Sequence, residues 1–557
     1  MKTKINVWLI GVTLLLAFSG CEKEVLNRES KSTFTEEDVW SDISLAQRLV
    51  FSSYNDLGGW GWPQTGAGGF LSTASDEAFM LFDYGFWPIS SGTIDASNMG
   101  VFSDSWAQAY KSIRNINIFL SRIDEVEGAD EETVNRLKGE MRFIRAKAYA
   151  DLIALFGGVP LVTKEYGLTD EFDAKRDSYA DCVDFIVKEL DEAAEMVPLT
   201  VSDDDWGRVT RGACLALKAQ VLLYAASKLH DPASTPNGPL FEYDRNDKWQ
   251  QAADAAKAVI DLNQYSLMPA ETWEDYTRIF LSANPEIIFA RPYSAEFDHP
   301  NIDKVNTPNG YHGWSGNVPA QALVNDFQMD NGKGIDAPSS GYDQKNPYEH
   351  RELRFYADIV YQGATYRGRE TEFYLPGGLD SRDGPESWNY AVTGYTMRKF
   401  MDESLDFNKG LGTQPYIFFR LAEIYLDYAE AEYHLGHEDV AREYVNKIRG
   451  RVKLPPVNTS GQALLEDIRH ERRIELCFED HRFFDVRRWM IAEETDGKNA
   501  QGVEWKKVDA NGNLSPNGKL QYNVVSVQER KFNPREYYLP IPLLEINKTG
   551  LEQNPGY

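Results

Sequence analysis

Two stretches of the chain concentrate side chains that could hold a sugar ring. Between Trp60 and Trp87 stand eight aromatics, Trp60, Trp62, Phe70, Phe79, Phe82, Tyr84, Phe86 and Trp87, with Asp76, Glu77, Asp83, Asp95 and Asn98 close by. The second stretch carries Tyr293, Asn309, Tyr311, His312, Trp314 and Asn317, and Gly310, Gly313 and Gly316 should leave its rings exposed and its backbone accessible. A pyranose presents one face of C–H groups and a rim of hydroxyls. It therefore needs a flat aromatic platform edged by carboxylates, amides or guanidinium groups. The candidate ligand-binding residues are Trp87, Trp314, Tyr311, Tyr293, Asp76, Asn98 and Trp62, and half of the first cluster could equally be core. Trp106 and Tyr110, four residues apart, read instead as one buried helix face.

Other arrangements that could do chemistry fail on inspection. Glu471 and Glu475 are spaced as neighbours on one helix, but Arg472, Arg473 and Arg482 stand among them and can pair with them, leaving no free base. His470–Glu471 opens like a zinc-protease motif, yet Ile474 stands where the second histidine should be. Asp439 reads as a cap or first-turn charge. A calcium ion at Asp203–Asp205 is the alternative to a solvated turn, and the turn is preferred. No metal or cofactor is called for.

These residues must be positioned by a large globular chain. With 42% hydrophobic and 13% aromatic residues over 557 positions, it can bury an extensive core. Its formal charge of -28 repels nucleic acid and polyanions and favours neutral ligands. Beyond Cys21, Cys182, Cys214 and Cys477 are too widely spaced for a CxxC metal site, and all three read as small buried hydrophobes.

Lys2 and Lys4 precede an apolar run from Ile5 to Ala17, short for a membrane span and right for a signal peptide. Phe18, Ser19 and Gly20 then lead into Cys21, as a lipoprotein signal requires, although Phe18 stands where leucine is usual. Residues 1–20 read as signal peptide, Cys21 as the lipidation site and 21–35 as a tether. The mature chain is expected outside the membrane, attached by its acylated end.

Periodicity is helical over Glu140–Phe156, which stops at Gly157 and Gly158, and again over Thr210–Ala226, Trp249–Leu262 and Pro415–Leu435. A further stripe from Val440 to Ile448 makes residues 415–450 an antiparallel helix pair, the size of one tetratricopeptide unit of about 34 residues. Such pairs must stack to bury their faces. Residues 58–105 and 291–414 show no sustained period and are rich in Gly, Pro, Asn and aromatics, so binding is expected there.

Gly139, Arg142, Arg145, Tyr149, Phe156 and the run Gly157–Leu161 resemble a signature of the SusD/RagB family of Bacteroidetes surface lipoproteins. Trp106, Tyr110, Asn115, Asn117 and Leu120 resemble the family's preceding helix, and Arg420, Ala422, Glu423, Leu426 and Ala429–Ala431 its later repeat. Glu471 to Trp489 resembles its charged carboxy-terminal block, and Leu539–Pro542 with Gln553–Tyr557 its ending. The match covers nearly the whole mature chain.

The resemblance implies a mostly α fold: one domain over 36–557, with a tetratricopeptide-type scaffold mainly in 36–57, 106–290 and 415–490 and ligand-binding loops in 58–105 and 291–414. It further implies an outer-membrane surface lipoprotein that captures oligosaccharide for a SusC-like TonB-dependent transporter and performs no chemistry. Its affinity would lie at about micromolar to millimolar, since a capture protein must release. The alternatives are the same scaffold binding peptide or another nutrient, and a surface glycoside hydrolase, which needs two carboxylates roughly 5–9 Å apart.

Overall fold

The computed structural model describes residues 40–61, 69–126, 128–167, 175–233, 238–296 and 300–557. The expected signal peptide, Cys21, the tether to residue 35 and Trp62 lie outside these residues.

Helices form where the sequence supplies a cap and an apolar stripe. Asp130 accepts the Thr133 amide at 2.8 Å, and Glu131 and Glu132 occupy the first turn beside the positive helix end. The helix is Glu131–Phe156, starting about two and a half turns before the Glu140 expected. It stops at Gly157, whose φ of 77° suits glycine and whose added Cβ would lie 2.7 Å from the Leu240 carbonyl. Ser178 and Thr210 cap Tyr179–Met196 and Arg211–Ala226 in the same way.

In chain order Ser105–Arg122, Glu131–Phe156, Tyr179–Met196, Arg211–Ala226 and Lys248–Asp261 each pack on the next. The stack continues through Leu421–His434 to Glu438–Arg451 and Gln462–Glu475. Arg145 ties three of these helices: Nε and Nη2 donate to Glu189 at 2.8 and 2.5 Å, and Nη1 donates to Asn117 at 2.7 Å. At Gly139 a Cβ would meet Val197 at 2.7 Å and Met196 at 2.8 Å, so only glycine permits this helix approach. Trp106 is buried against Tyr110 and Phe156, and the cysteines 182, 214 and 477 are free and buried, all as read from the sequence.

The scaffold is interrupted at 58–105 and, for longer, at 291–414. The chain leaves at Ile287–Arg291 and returns at Tyr416–Arg420, and these strands pair antiparallel with Arg291 opposite Tyr416. The helix expected from Pro415 therefore begins only at Leu421: the aromatic run Tyr416–Phe419 is drawn into strand by its partner.

The two aperiodic stretches form one lobe, because Ala78–Met80 pairs antiparallel with Asn317–Pro319. Trp60 anchors it, stacked 5.4 Å from Phe70 and donating its indole N–H to the Gln414 carbonyl at 3.1 Å. A hairpin absent from the sequence-based description, Ala500–Val508 with Lys519–Gln528, joins Tyr374–Leu375 and adds Trp505 to the lobe core.

Between scaffold and lobe lies a lattice of buried charge. From the lobe, Arg354 donates to Glu471 at 2.6 Å, to Glu475 at 3.0 Å and to its neighbour Glu352 at 2.8 Å. From the scaffold, Arg420 reaches Glu286 at 2.9 Å, Glu475 at 2.7 Å and Glu479 at 2.7 Å, and Arg449 reaches Glu471 at 2.9 Å. Glu471 and Glu475 are thus ion-paired as expected, but with arginines of other elements. Arg472 turns to Asp427 and Asp485, and Arg473 and Arg482 turn to Asp76. Burial pushes the Glu475 carboxyl up, but Arg451, Arg420 and Arg354 outweigh it and hold the group well below its usual range.

Removing one member strands its partners as unpaired buried charge, which costs about 3–5 kcal/mol. Arg354→Met should lower the unfolding free energy in urea by that amount. A loss under about 1 kcal/mol, the scale of an exposed pair, would mean that the lattice does not join lobe to scaffold.

Candidate functional site

The first aromatic cluster divides in half. Trp60, Phe70, Phe79 and Phe86 are core, Phe82 is half-buried, and Tyr84 and Trp87 face outward. Trp87 is 41% exposed while its polar edge is satisfied inside: the indole N–H donates to the Met80 carbonyl at 3.2 Å. Its ring lies nearly parallel to that of Phe79, 6.4 Å away, and its amide donates to Asp83 at 3.3 Å.

Met80 pairs with Asn317, and the Leu81 amide donates to Gly316 at 2.9 Å, so the strand beneath Trp87 is bonded directly to the loop carrying Trp314. Trp314 is 36% exposed, with the Lys304 ammonium 5.4 Å from its ring centre. That loop is bent sharply, with left-handed backbone at His312 (φ 67°) and Ser315 (φ 45°). Non-glycine residues adopt this conformation at a cost, and it concentrates at sites where a side chain must be aimed. The glycines here do other work than leaving rings bare. A Cβ on Gly313 would meet the Thr307 carbonyl at 2.1 Å, and one on Gly310 would meet Asp380 at 2.3 Å. They permit backbone crowding.

The same loop carries a neighbour that sequence reasoning missed. Asn309 donates to the carbonyls of Ser381 at 3.0 Å and Pro385 at 2.7 Å, and His312 Nδ1 lies 3.1 Å from Glu386. These contacts pin segment 381–386 and present Trp388, 71% exposed, in the next turn. The signal was the Gly384–Pro385 turn before Ser-Trp-Asn, inside a stretch already read as loop. Among the described residues, exposed large aromatics are Phe51, Tyr84, Trp87, Trp314 and Trp388, and all but Phe51 belong to this lobe. Beside Trp87 a cavity of about 470 Å³ opens between segment 380–394 and the carboxy-terminal hairpin.

The remaining candidates are placed otherwise. Asp76 is buried: Arg482 binds both its oxygens at 2.8 and 3.0 Å and Arg473 adds a contact at 3.0 Å. Burial would raise its carboxyl, but these arginines prevail and hold it below the usual range. It is a joint of the fold and has no oxygen to offer a ligand. Tyr311 is half-buried, donates to the Tyr366 carbonyl at 2.8 Å and has its face covered by Arg369 at 3.9 Å. Tyr293 sits at the root of the lobe, where its hydroxyl accepts the Trp60 amide at 3.3 Å and Arg291 lies over its ring. Asn98 is exposed, but its carbonyl oxygen accepts the Gly100 amide at 3.3 Å in a local turn. Asn309 and Asn317 are fully buried.

Asp205 pairs with Arg136 at 2.9 Å and Arg208 at 3.1 Å, which engages the acidic turn in ion pairs. Among the described residues no group of three or more His, Cys, Asp or Glu could hold a metal ion.

Next to Asp76, burial raises the Glu77 carboxyl from 4.5 to about 8 despite Arg473 and Arg482. Folding therefore favours its neutral form. The stability this contributes is full below about pH 4.5 and is lost as pH rises through about 8. Melting temperature should fall across that window, and Glu77→Gln should flatten the fall. An identical slope in the variant would assign it to another group.

The comparisons with known proteins agree with this architecture. Residues 285–557 match the family model described as the SusD family, and residues 70–223 match one described as starch-binding, associating with outer membrane. A SusD-like protein of Bacteroides fragilis is 30% identical, with 94% of this chain and 99% of that one covered and a TM-score of 0.79. A SusD-like protein of Formosa agariphila is 24% identical over the full length of both chains. A solved structure described as a laminarin-binding SusD-like protein shares the fold at 22% identity, with a TM-score of 0.60 over 92% of this chain and 99% of its own. The chain belongs to the SusD/RagB family, and its mostly helical fold is that of the family.

Proposed function

We propose that this chain captures oligosaccharides at the outer surface of the cell and delivers them to a SusC-like TonB-dependent transporter. The observation that carries the reading is the set of exposed indoles at Trp87, Trp314 and Trp388 on one hydrogen-bonded loop system, with the Trp87 edge fixed inside. Exposed aromatic planes on a rigid frame suit the C–H face of a sugar. Membership in a family with relatives described as laminarin-binding and as a surface glycan-binding protein supports it. In this reading Cys21 carries the lipid anchor. No helix among the described residues is long and apolar enough to cross a membrane.

The function needs no catalysis and no cofactor. Two carboxylates near the platforms are engaged: Asp380 by Arg369 at 2.8 and 2.7 Å, and Glu386 by His312 Nδ1 at 3.1 Å.

Affinity electrophoresis of residues 22–557 across polysaccharides, with an assay for released reducing ends, tests the reading. Retardation without new ends is expected. With each ring–sugar contact taken as comparable to an aromatic pair, about 0.5–1.5 kcal/mol, Trp87→Ala, Trp314→Ala and Trp388→Ala should each weaken retardation by up to about tenfold at unchanged melting temperature. Trp60→Ala, a core truncation, should instead cost about 3–5 kcal/mol of stability. New reducing ends would make the protein a hydrolase, and retardation insensitive to all three surface tryptophans would put the site elsewhere.

A further inference from the structure

The cavity beside Trp87 sets apolar and aromatic side chains beside a half-exposed arginine, Arg382. One side is apolar, built from Phe79, Trp87, Phe373, Leu375 and Val392, and its volume of about 470 Å³ falls within the usual range for small-ligand sites, about 300–1,000 Å³. The charged residues lining it are Asp380, Arg382 and Glu504. Asp380 is spent, since both oxygens are bound by Arg369 and one also accepts the Glu372 amide at 2.7 Å. Glu504 is shared between Arg382, at 3.0 Å, and Lys506, which lies on the same face of its strand.

Two cations therefore divide one carboxylate at this wall. Arg382 engages Glu504 through Nη2 alone and is half-exposed, which leaves the rest of its donor fork turned to solvent. A guanidinium fork fits a carboxylate or sulfate with two parallel hydrogen bonds. The chain's overall charge of -28 disfavours polyanions, but at physiological salt distant charges are screened beyond about 8 Å. Within that range the cation on the cavity wall is Arg382, whose Glu504 is shared with Lys506.

We propose that this cavity receives one sugar bearing a single anionic group, a uronate carboxylate or a sulfate ester, on an otherwise neutral glycan. The anion docks on Arg382 and the ring lies against Trp87. This rests on the capture reading and narrows its ligand class.

Monosaccharides enter such a cavity whatever chain they come from, so matched pairs test it: glucuronate against glucose, and galactose 6-sulfate against galactose. Titration into residues 22–557, followed by ligand-observed NMR in 0.15 M salt, should show the anionic member of at least one pair binding about tenfold tighter, as expected of a charge-assisted contact. The responding pair distinguishes carboxylate from sulfate. Arg382→Gln should abolish the preference at unchanged melting temperature, and Glu504→Gln, which frees the guanidinium, should enlarge it.

Equal binding within both pairs, undetectable binding included, would overturn the proposal, as would a preference that survives Arg382→Gln. Either result alongside Trp87-dependent retardation of a neutral polysaccharide refutes only this inference. Failure of every polysaccharide to be retarded refutes the capture reading itself.

Discussion

The structure depends on the buried lattice centred on Glu475. The longest segment of the lobe enters the scaffold's chain order between Arg291 and Tyr416, and Arg354 reaches from it into the scaffold and shares Glu471 and Glu475 with Arg449, Arg420 and Arg451. On the other side Asp76 takes Arg473 and Arg482, and Lys399 takes Glu479 at 2.7 Å. Each charge is desolvated, so each is tolerable only with its partners in place. This fixes the lobe in one orientation, where apolar packing alone would tolerate small slips.

The surface tryptophans follow from that constraint. Trp87 hangs on Met80, Met80 on Asn317, and the Trp314 loop on the same pair of strands. Segment 381–388 is held to that loop by Asn309 and His312. An aromatic plane recognises a sugar face usefully only if it is already in position, since ordering a loop on binding subtracts from affinity. The rings are exposed, but the backbone beneath them is bonded into the lobe.

The scaffold was legible because helices advertise themselves locally. The 3.6-residue stripe and the Gly157–Gly158 stop marked the 131–156 helix, and the family signature rests on residues such as Gly139 and Arg145, whose types are dictated by helix contact. Partnership between distant segments was not legible. Tyr416–Phe419 became strand because Ile287–Arg291 lies beside it, and Asp76 became a buried joint because Arg482 folds onto it. The carboxy-terminal hairpin did leave a local trace, the Asn511–Gly512 and Asn517–Gly518 turns between alternating runs. For the site, composition located the lobe but could not sort platform from core: Trp60 and Trp87 look alike in sequence and differ only in what covers them. That Arg369 covers the Tyr311 face was not legible either, because it comes from a strand pair far along the chain.

Hydrogen–deuterium exchange with and without a retained glycan tests the central claim most directly, that ligand meets the protein at the exposed tryptophans of the lobe. The account predicts added protection in residues 84–91, 311–317 and 381–390, with the helices from 105 to 261 unchanged. Protection confined to those helices, with the three loop segments unaffected, would contradict it.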